Sequence, residues 1–171
     1  MVGRFEKLVP IRRVVHWLDQ MRFGSIDLSA PIGQRGEQAA AIYLRRKGLR
    51  IIAVNESDHA GEIDLIAIDR KTRSIIFIEV KTLRRQPPAS VVGDPSSTGS
   101  NQDHPADRVD GHKQRRITQA ALRFLKRRGL LGHACRFDVV AVWWPDDSAG
   151  PAHVQHIENA FEATGDFQMW S

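Results

Sequence analysis

Two apolar runs, residues 62–68 and 75–80, are separated by six polar or charged residues, Asp69, Arg70, Lys71, Thr72, Arg73 and Ser74. Isoleucine-rich runs of this length joined by so short a polar connection predict an antiparallel β-hairpin. A four-residue loop over 70–73 sets its register. Asp69 then faces Ser74, Ile68 faces Ile75, Ile66 faces Phe77, Asp64 faces Glu79 and Glu62 faces Lys81. The inner half matches apolar with apolar. The outer end sets two carboxylates across from each other, with Cβ atoms about 4.5–5.5 Å apart.

Like charges in that position destabilise a sheet. Residues two apart on a strand share a face. Glu62 and Asp64 are therefore expected beside Ile66 and Ile68, and Glu79 and Lys81 beside Ile75 and Phe77. A solvated face laced with salt bridges explains Lys81 but not the four apolar neighbours. A shared proton would raise one carboxyl pKa to no evident purpose. A strand end that projects past the core into a cleft, where hard oxygen ligands hold Mg²⁺ or Mn²⁺, explains both.

The rest of the chain frames this hairpin. Residues 34–48 read as a helix, with Ala39, Ala40, Ala41 and Leu44 as its small apolar face and Gly48 as its stop. Glu37 lies on the side of Ala40, Ala41 and Leu44, so it is expected to point inward and join the other acids. The plainer alternative is that it favours the helix dipole from the first turn. Residues 49–54 read as a strand. Residues 84–111 hold five-residue-scale clusters of Pro, Gly and Ser with little apolar content, and are expected to form a long loop.

Residues 112–128 carry Ile117, Ala120, Ala121, Phe124 and Leu125 at helical spacing. Residues 136–144 form a strand closed by Pro145, with Trp143 and Trp144 read as packing residues. The type of element over 153–163 stays open. Residues 1–32 are expected to be an N-terminal extension with a short amphipathic helix carrying Val14, Val15, Trp17, Leu18 and Met21. The order α-β-β-β-α-β predicts a mixed α/β domain over 33–163.

Composition limits the function classes. The single cysteine, Cys135, excludes an intrachain disulfide and a paired-cysteine zinc site. No run reaches the ~18–20 apolar residues of a membrane span, and no apolar leader opens the chain. A cytoplasmic protein with no membrane partner is expected. Lys and Arg total 25 against 20 Asp and Glu, a net charge of +5. The helix over 112–128 concentrates that charge in Lys113, Arg115, Arg116, Arg123, Lys126, Arg127 and Arg128, with no acid. This is either a solvated face or a phosphate-binding surface.

Gly61-Glu62-Ile63-Asp64-Leu65-Ile66 followed by Ile78-Glu79-Val80-Lys81-Thr82 resembles the PD-(D/E)XK signature of restriction-endonuclease-like nucleases. The chain is more closely similar to the YraN family of that superfamily. Gly33-Gln34-Arg35-Gly36-Glu37, Asn55, Lys113-Gln114-Arg115-Arg116-Ile117, Arg136-Phe137-Asp138-Val139-Val140 and Asn159-Ala160-Phe161 extend the similarity over about residues 33–162. Ile63 stands where the named motif has proline, and the 84–111 segment is longer than is usual for the family. The resemblance implies a restriction-endonuclease-like mixed sheet flanked by helices. It also implies kinship with Holliday-junction resolvases, which use a similar helix glutamate and work as homodimers.

The expected chemistry is metal-dependent hydrolysis of phosphodiester bonds in nucleic acid, with DNA, structured or branched, as the partner. Asp64, Glu79, Lys81 and Glu37 form the catalytic set. Asp64, Glu79, the Val80 carbonyl and Glu37 are the candidate Mg²⁺ or Mn²⁺ ligands. Lys113, Arg115, Arg116 and Arg123 are the candidate phosphate contacts. Two other readings stay open: a nucleic-acid-binding module without turnover, and a scaffold whose basic face meets an acidic protein.

Overall fold

Helix α1 (Ile32–Arg46) leads into strands β1 (Arg50–Asp58), β2 (Gly61–Asp69) and β3 (Ser74–Leu83). Helix α2 (Gly111–Arg128) and strands β4 (Cys135–Trp143) and β5 (His153–Phe161) follow. These bounds come from a computed structural model that describes residues 24–58, 61–92 and 109–164. The strands form one sheet in the order β1-β2-β3-β4-β5. Only β3 and β4 run parallel; the other pairs are antiparallel. A parallel pair needs a crossover, and α2 supplies it. The expected mixed α/β order holds and gains a fifth strand. Residues 153–161 alternate too irregularly in polarity to show their type, and pairing with β4 decides it.

Both faces of the sheet are covered. Ile66, Ile68, Ile75, Phe77, Phe137 and Val139 pack with Ile117, Ala120, Ala121, Phe124 and Leu125 of α2. Leu65, Ala67, Ile76, Ile78, Val140 and Val142 pack with Ala39, Ala40, Ala41 and Leu44 of α1. Strands buried on both faces read as continuous apolar runs, which is why 63–68 and 75–78 look so uniform. Phe77 stacks on Phe137 at 5.5 Å between ring centroids, and Phe137 on Phe161 at 5.0 Å. Burial of each such side chain contributes about 1.5–3 kcal/mol.

Several boundaries move. The first helix occupies Ile32–Arg46 rather than 34–48, with Gly48 at φ 90 ending the turn. Ile26 and Ile32, expected in the extension, pack against the α1 core. β1 runs to Asp58 rather than Val54. It is an edge strand, and an edge tolerates the polar residues Asn55, Glu56, Ser57 and Asp58. Part of the expected 84–111 loop is a helical turn, Ala89–Val92, whose Val91 packs on Leu83, Ala141 and Trp143. Residues 93–108 lie outside the described residues, as does the amphipathic helix expected around 14–21.

A buried carboxylate fastens the last strand. Asp138 is fully buried and accepts hydrogen bonds from Arg136 Nε (3.0 Å) and the Asn159 backbone N–H (2.8 Å), with His156 Nε2 at 2.8 Å. Burial alone would raise its pKa, but the His156, Arg136 and Asn159 hydrogen bonds outweigh it and hold the carboxyl below its ordinary value. Asn159 has φ 52, at the point where the β4–β5 register shifts. Asp138 therefore stabilises an irregular edge.

Gly36 of α1 packs closely on Thr82 of β3. A Cβ built on Gly36 would lie 1.8 Å from Thr82 Oγ1. Gly36→Ala should lower the unfolding free energy by about 1–3 kcal/mol, as overpacking does. Gly33 of the same helix has open space around it. Gly33→Ala should leave stability unchanged or raise it by up to about 1 kcal/mol. Urea denaturation of the two variants measures both; equal responses would show that the crossing is not tight.

Candidate functional site

β2 and β3 pair through Asp69↔Ser74, Ile68↔Ile75, Ala67↔Ile76, Ile66↔Phe77 and Leu65↔Ile78. This is the expected register. The ladder then stops, so the expected pairs Asp64–Glu79 and Glu62–Lys81 do not form. From Leu65 back to Gly61, β2 continues only with β1, while β3 continues with β4 to Leu83. The two strands part, and a fork opens between them.

A side chain closes the crotch of the fork. Asp64 Oδ2 accepts the Val80 backbone N–H at 2.6 Å. The N–H and C=O of a strand residue project toward the same neighbour. The Val80 carbonyl therefore faces the Asp64 side, where no β2 backbone pairs with it. It is the backbone oxygen nearest the Asp64 side of the gap to lack a strand partner on β2.

An unusual backbone residue lies across from Asp64. Val54 pairs Leu65 and Glu56 pairs Ile63, which sets Asn55 opposite Asp64. Asn55 has φ 48, a left-handed conformation that Asn tolerates better than most residues. Beyond it the alternation of β2 changes. Ile63, not Glu62, joins Ile66 and Ile68 in the α2 core. The expectation that Glu62 shares their face is corrected: Glu62 is exposed.

Glu79 is the centre of the site. It is 3% exposed. Its Oε1 receives Lys81 Nζ at 2.8 Å and lies 3.2 Å from Lys113 Nζ. Its Oε2 is buried with no hydrogen-bond partner. An unsatisfied buried acceptor costs about 1–3 kcal/mol, more when charged, so a cation placed there would be strongly favoured.

The neighbouring acids respond to one another. Burial first, then the Glu79 charge, raise the Asp64 carboxyl from an ordinary 3.8 to about 7 against the opposing Val80 N–H hydrogen bond. Glu37 is half-buried on α1. Burial raises its pKa, a hydrogen bond with the Asn55 side chain opposes the rise, and the Glu62 and Glu79 charges add to it. Among the described residues no group of three or more His, Cys, Asp or Glu stands close enough to hold a metal. The oxygens that could be offered to a cation are those of Asp64, Glu79 Oε2 and the Val80 carbonyl, while Glu37 acts on both acids through charge and hydrogen-bonds the Asn55 side chain.

The basic helix divides. Lys113, expected as a surface phosphate contact, sits on Glu79 instead. Arg115 and Arg116 are exposed in the same half of α2, and Arg123 is half-buried. Arg127 pairs with Glu56 and the Arg128 guanidinium lies over the Phe124 ring, so both serve the fold. Two pairings were not foreseen from the sequence: Asn55, noted only within the resemblance, as hydrogen-bond partner of Glu37, and Lys113, expected on phosphate, as a partner of Glu79. A helix-start lysine among basic neighbours carried no sign of the second. An Asn ending an apolar strand run was a usable sign of the first.

The model of the uncharacterised protein family UPF0102 matches residues 36–142, a span that holds every one of these site residues. A UPF0102 protein of Rhodopirellula baltica is 58% identical over 153 residues, covering 90% of this chain and 83% of its own length. A UPF0102 protein of Symbiobacterium thermophilum is 40% identical over 136 residues, 80% of this chain and all of its own. One from Geobacter sulfurreducens is 39% identical over 131 residues, 77% and 88% of the two chains. None of these names states an activity.

The raised Asp64 pKa has a measurable consequence. In the native protein this carboxyl holds its proton more tightly than in the unfolded chain. Its contribution is therefore most favourable below about pH 4 and is lost as pH rises through about 7. Asp64→Asn cannot ionise. In chelator, the variant should gain about 1–3 kcal/mol relative to wild type between pH 5 and pH 8.5. Denaturation curves at the two pH values measure it; a difference that does not change with pH rules the raised pKa out.

Proposed function

We propose a metal-dependent phosphodiester hydrolase acting on nucleic acid, from the premise that the chain belongs to the uncharacterised protein family UPF0102, the YraN family. The observation that carries the reading is Glu79. A buried carboxylate with one oxygen on lysine and the other without a partner, beside a second carboxylate that shares its field, is built to receive a cation. Ordinary packing would not retain it, because an incompletely paired buried charge is costly.

Asp64, Glu79 and the Val80 carbonyl would hold Mg²⁺ or Mn²⁺, which would polarise the scissile phosphate and lower the pKa of an attacking water. The chain's own residues do the rest. Lys81 is fixed by Glu79 and directs its ammonium into the fork, where it stabilises negative charge developing on the phosphate. Glu37, steadied by Asn55, adds negative charge that favours a cation over an empty site. Arg115, Arg116 and Arg123 supply phosphate contacts, which give affinity and position without reading bases. DNA is the proposed partner, with branched or other structured forms the favoured substrates. Such a role fits a cytoplasmic protein working as a homodimer.

One observation favours a second reading, a binding module without turnover: both lysines on Glu79 already neutralise it in part. Cleavage separates the two. Duplex, single-stranded, flap and four-way DNA, and RNA, are incubated with Mg²⁺ or Mn²⁺. Asp64→Asn and Lys81→Ala should each reduce cleavage at least about 100-fold. Rates equal to wild type in both variants would sink the assignment, and tight binding without product from any substrate would favour the module. Arg115→Ala combined with Arg116→Ala should weaken binding to all sequences alike and reduce the salt slope by about 2. An unchanged slope removes these arginines from the interface.

A further inference from the structure

Lys113 stands where helix rules disfavour it. Asp110 caps α2 and accepts the Lys113 backbone N–H at 2.8 Å, so Lys113 is the third residue of the helix. The free N–H groups there carry partial positive charge, and acids are preferred. The first turn of α2 holds no acid and does hold this lysine. Local stability therefore gives no reason for a cation at this position. The reason lies across the gap, at Glu79 Oε1, 3.2 Å from Lys113 Nζ.

The approach of α2 to the hairpin is also close. A Cβ on Gly61 would lie 3.0 Å from the Arg116 carbonyl oxygen. Backbone yields less readily than a flexible side chain, so a larger residue at 61 would push the start of α2 a few tenths of an ångström from the hairpin. The helix start that carries Lys113 is thereby held over the site.

The two lysines on Glu79 are not equivalent. Lys81 comes from the same strand, two residues on, at 2.8 Å. Lys113 comes from another element, and its contact is longer, at 3.2 Å. The two side chains are about equally exposed, 28% and 32%, so the weaker contact rather than access marks Lys113 as the one to leave.

On the reading of the site as a metal centre, we infer that Lys113 is a resident cation which competes with the metal for Glu79 and, once displaced, turns to the substrate phosphate. In the metal-free protein Lys113 limits the repulsion between Glu79 and Asp64. When a divalent ion takes over that charge, the ammonium is released within reach of the fork. A phosphate entering there offers it a new anionic partner. The same group thus serves folding without metal and substrate with it.

The test is Mn²⁺ binding to the full chain, by calorimetry at constant ionic strength, alongside DNA cleavage at saturating Mn²⁺. Lys113→Met removes the charge and keeps the length. It should bind Mn²⁺ about tenfold more tightly than wild type, the size expected for one lost charge-assisted competitor, and cleave at least about tenfold more slowly. Lys126→Met, an exposed change on the same helix, should leave Mn²⁺ affinity unchanged and so controls for net charge. Lys113→Gln repeats the test with a second neutral side chain. Unchanged or weaker Mn²⁺ binding in both Lys113 variants, with wild-type binding still abolished by Asp64→Asn, overturns the competition and leaves the metal site standing. Tighter binding with undiminished cleavage overturns the transfer to phosphate. A wild-type chain that binds no Mn²⁺ overturns both this inference and the metal reading beneath it.

Discussion

The hydrogen bond from the Val80 N–H to Asp64 Oδ2 is the constraint on which the site depends. A hairpin normally continues its backbone ladder until a strand ends. Here a carboxylate takes the place of the next backbone acceptor. The strands separate without abandoning a donor, and the carbonyl of the same residue is left facing the gap. Everything chemical follows from that substitution. Two acids meet at a fork, one backbone oxygen is turned toward them, and Lys81 lies on the next outward position of β3. A fully paired hairpin with the same residues would have no cleft.

The fork is costly by itself, and the surrounding elements carry the cost. Two helices cover the two faces of the sheet, and each sends a residue to the fork. α1 contributes Glu37 through the Gly36–Thr82 crossing. α2 contributes Lys113 through the Gly61–Arg116 approach. Apolar packing on either side of β2 and β3 is extensive enough to hold a site whose own electrostatics oppose folding.

Much of this was legible in the residues. The hairpin register over 65–69 and 74–78 followed from matching isoleucines across a fixed turn, and it holds pair by pair. Asp64 and Glu79 stood out because acids on an otherwise apolar strand demand a reason. The parting of the strands was not legible, since it turns on a side chain replacing a main-chain acceptor. For the same reason Ile63 could not be assigned to its core by alternation alone. Lys113 was read as one of seven basic residues on a helix. Its distinct place depends on how closely that helix approaches β2, a tertiary fact that no periodicity encodes. Residues 153–161 concealed a strand because an edge strand half exposed to water has no strict alternation to show.

The Gly36–Thr82 crossing also bears on how such a chain changes over generations. The space between α1 and β3 is used up by one hydroxyl-bearing side chain and the absence of another. Drift at either position is therefore conditional on the other. A larger residue at 36 becomes admissible only after 82 has shrunk, and the reverse route is closed because glycine has nothing left to give up. The two sites lie far apart in the sequence, yet they form one unit of inheritance, and that unit sets how near the helix glutamate stands to the acids of the hairpin.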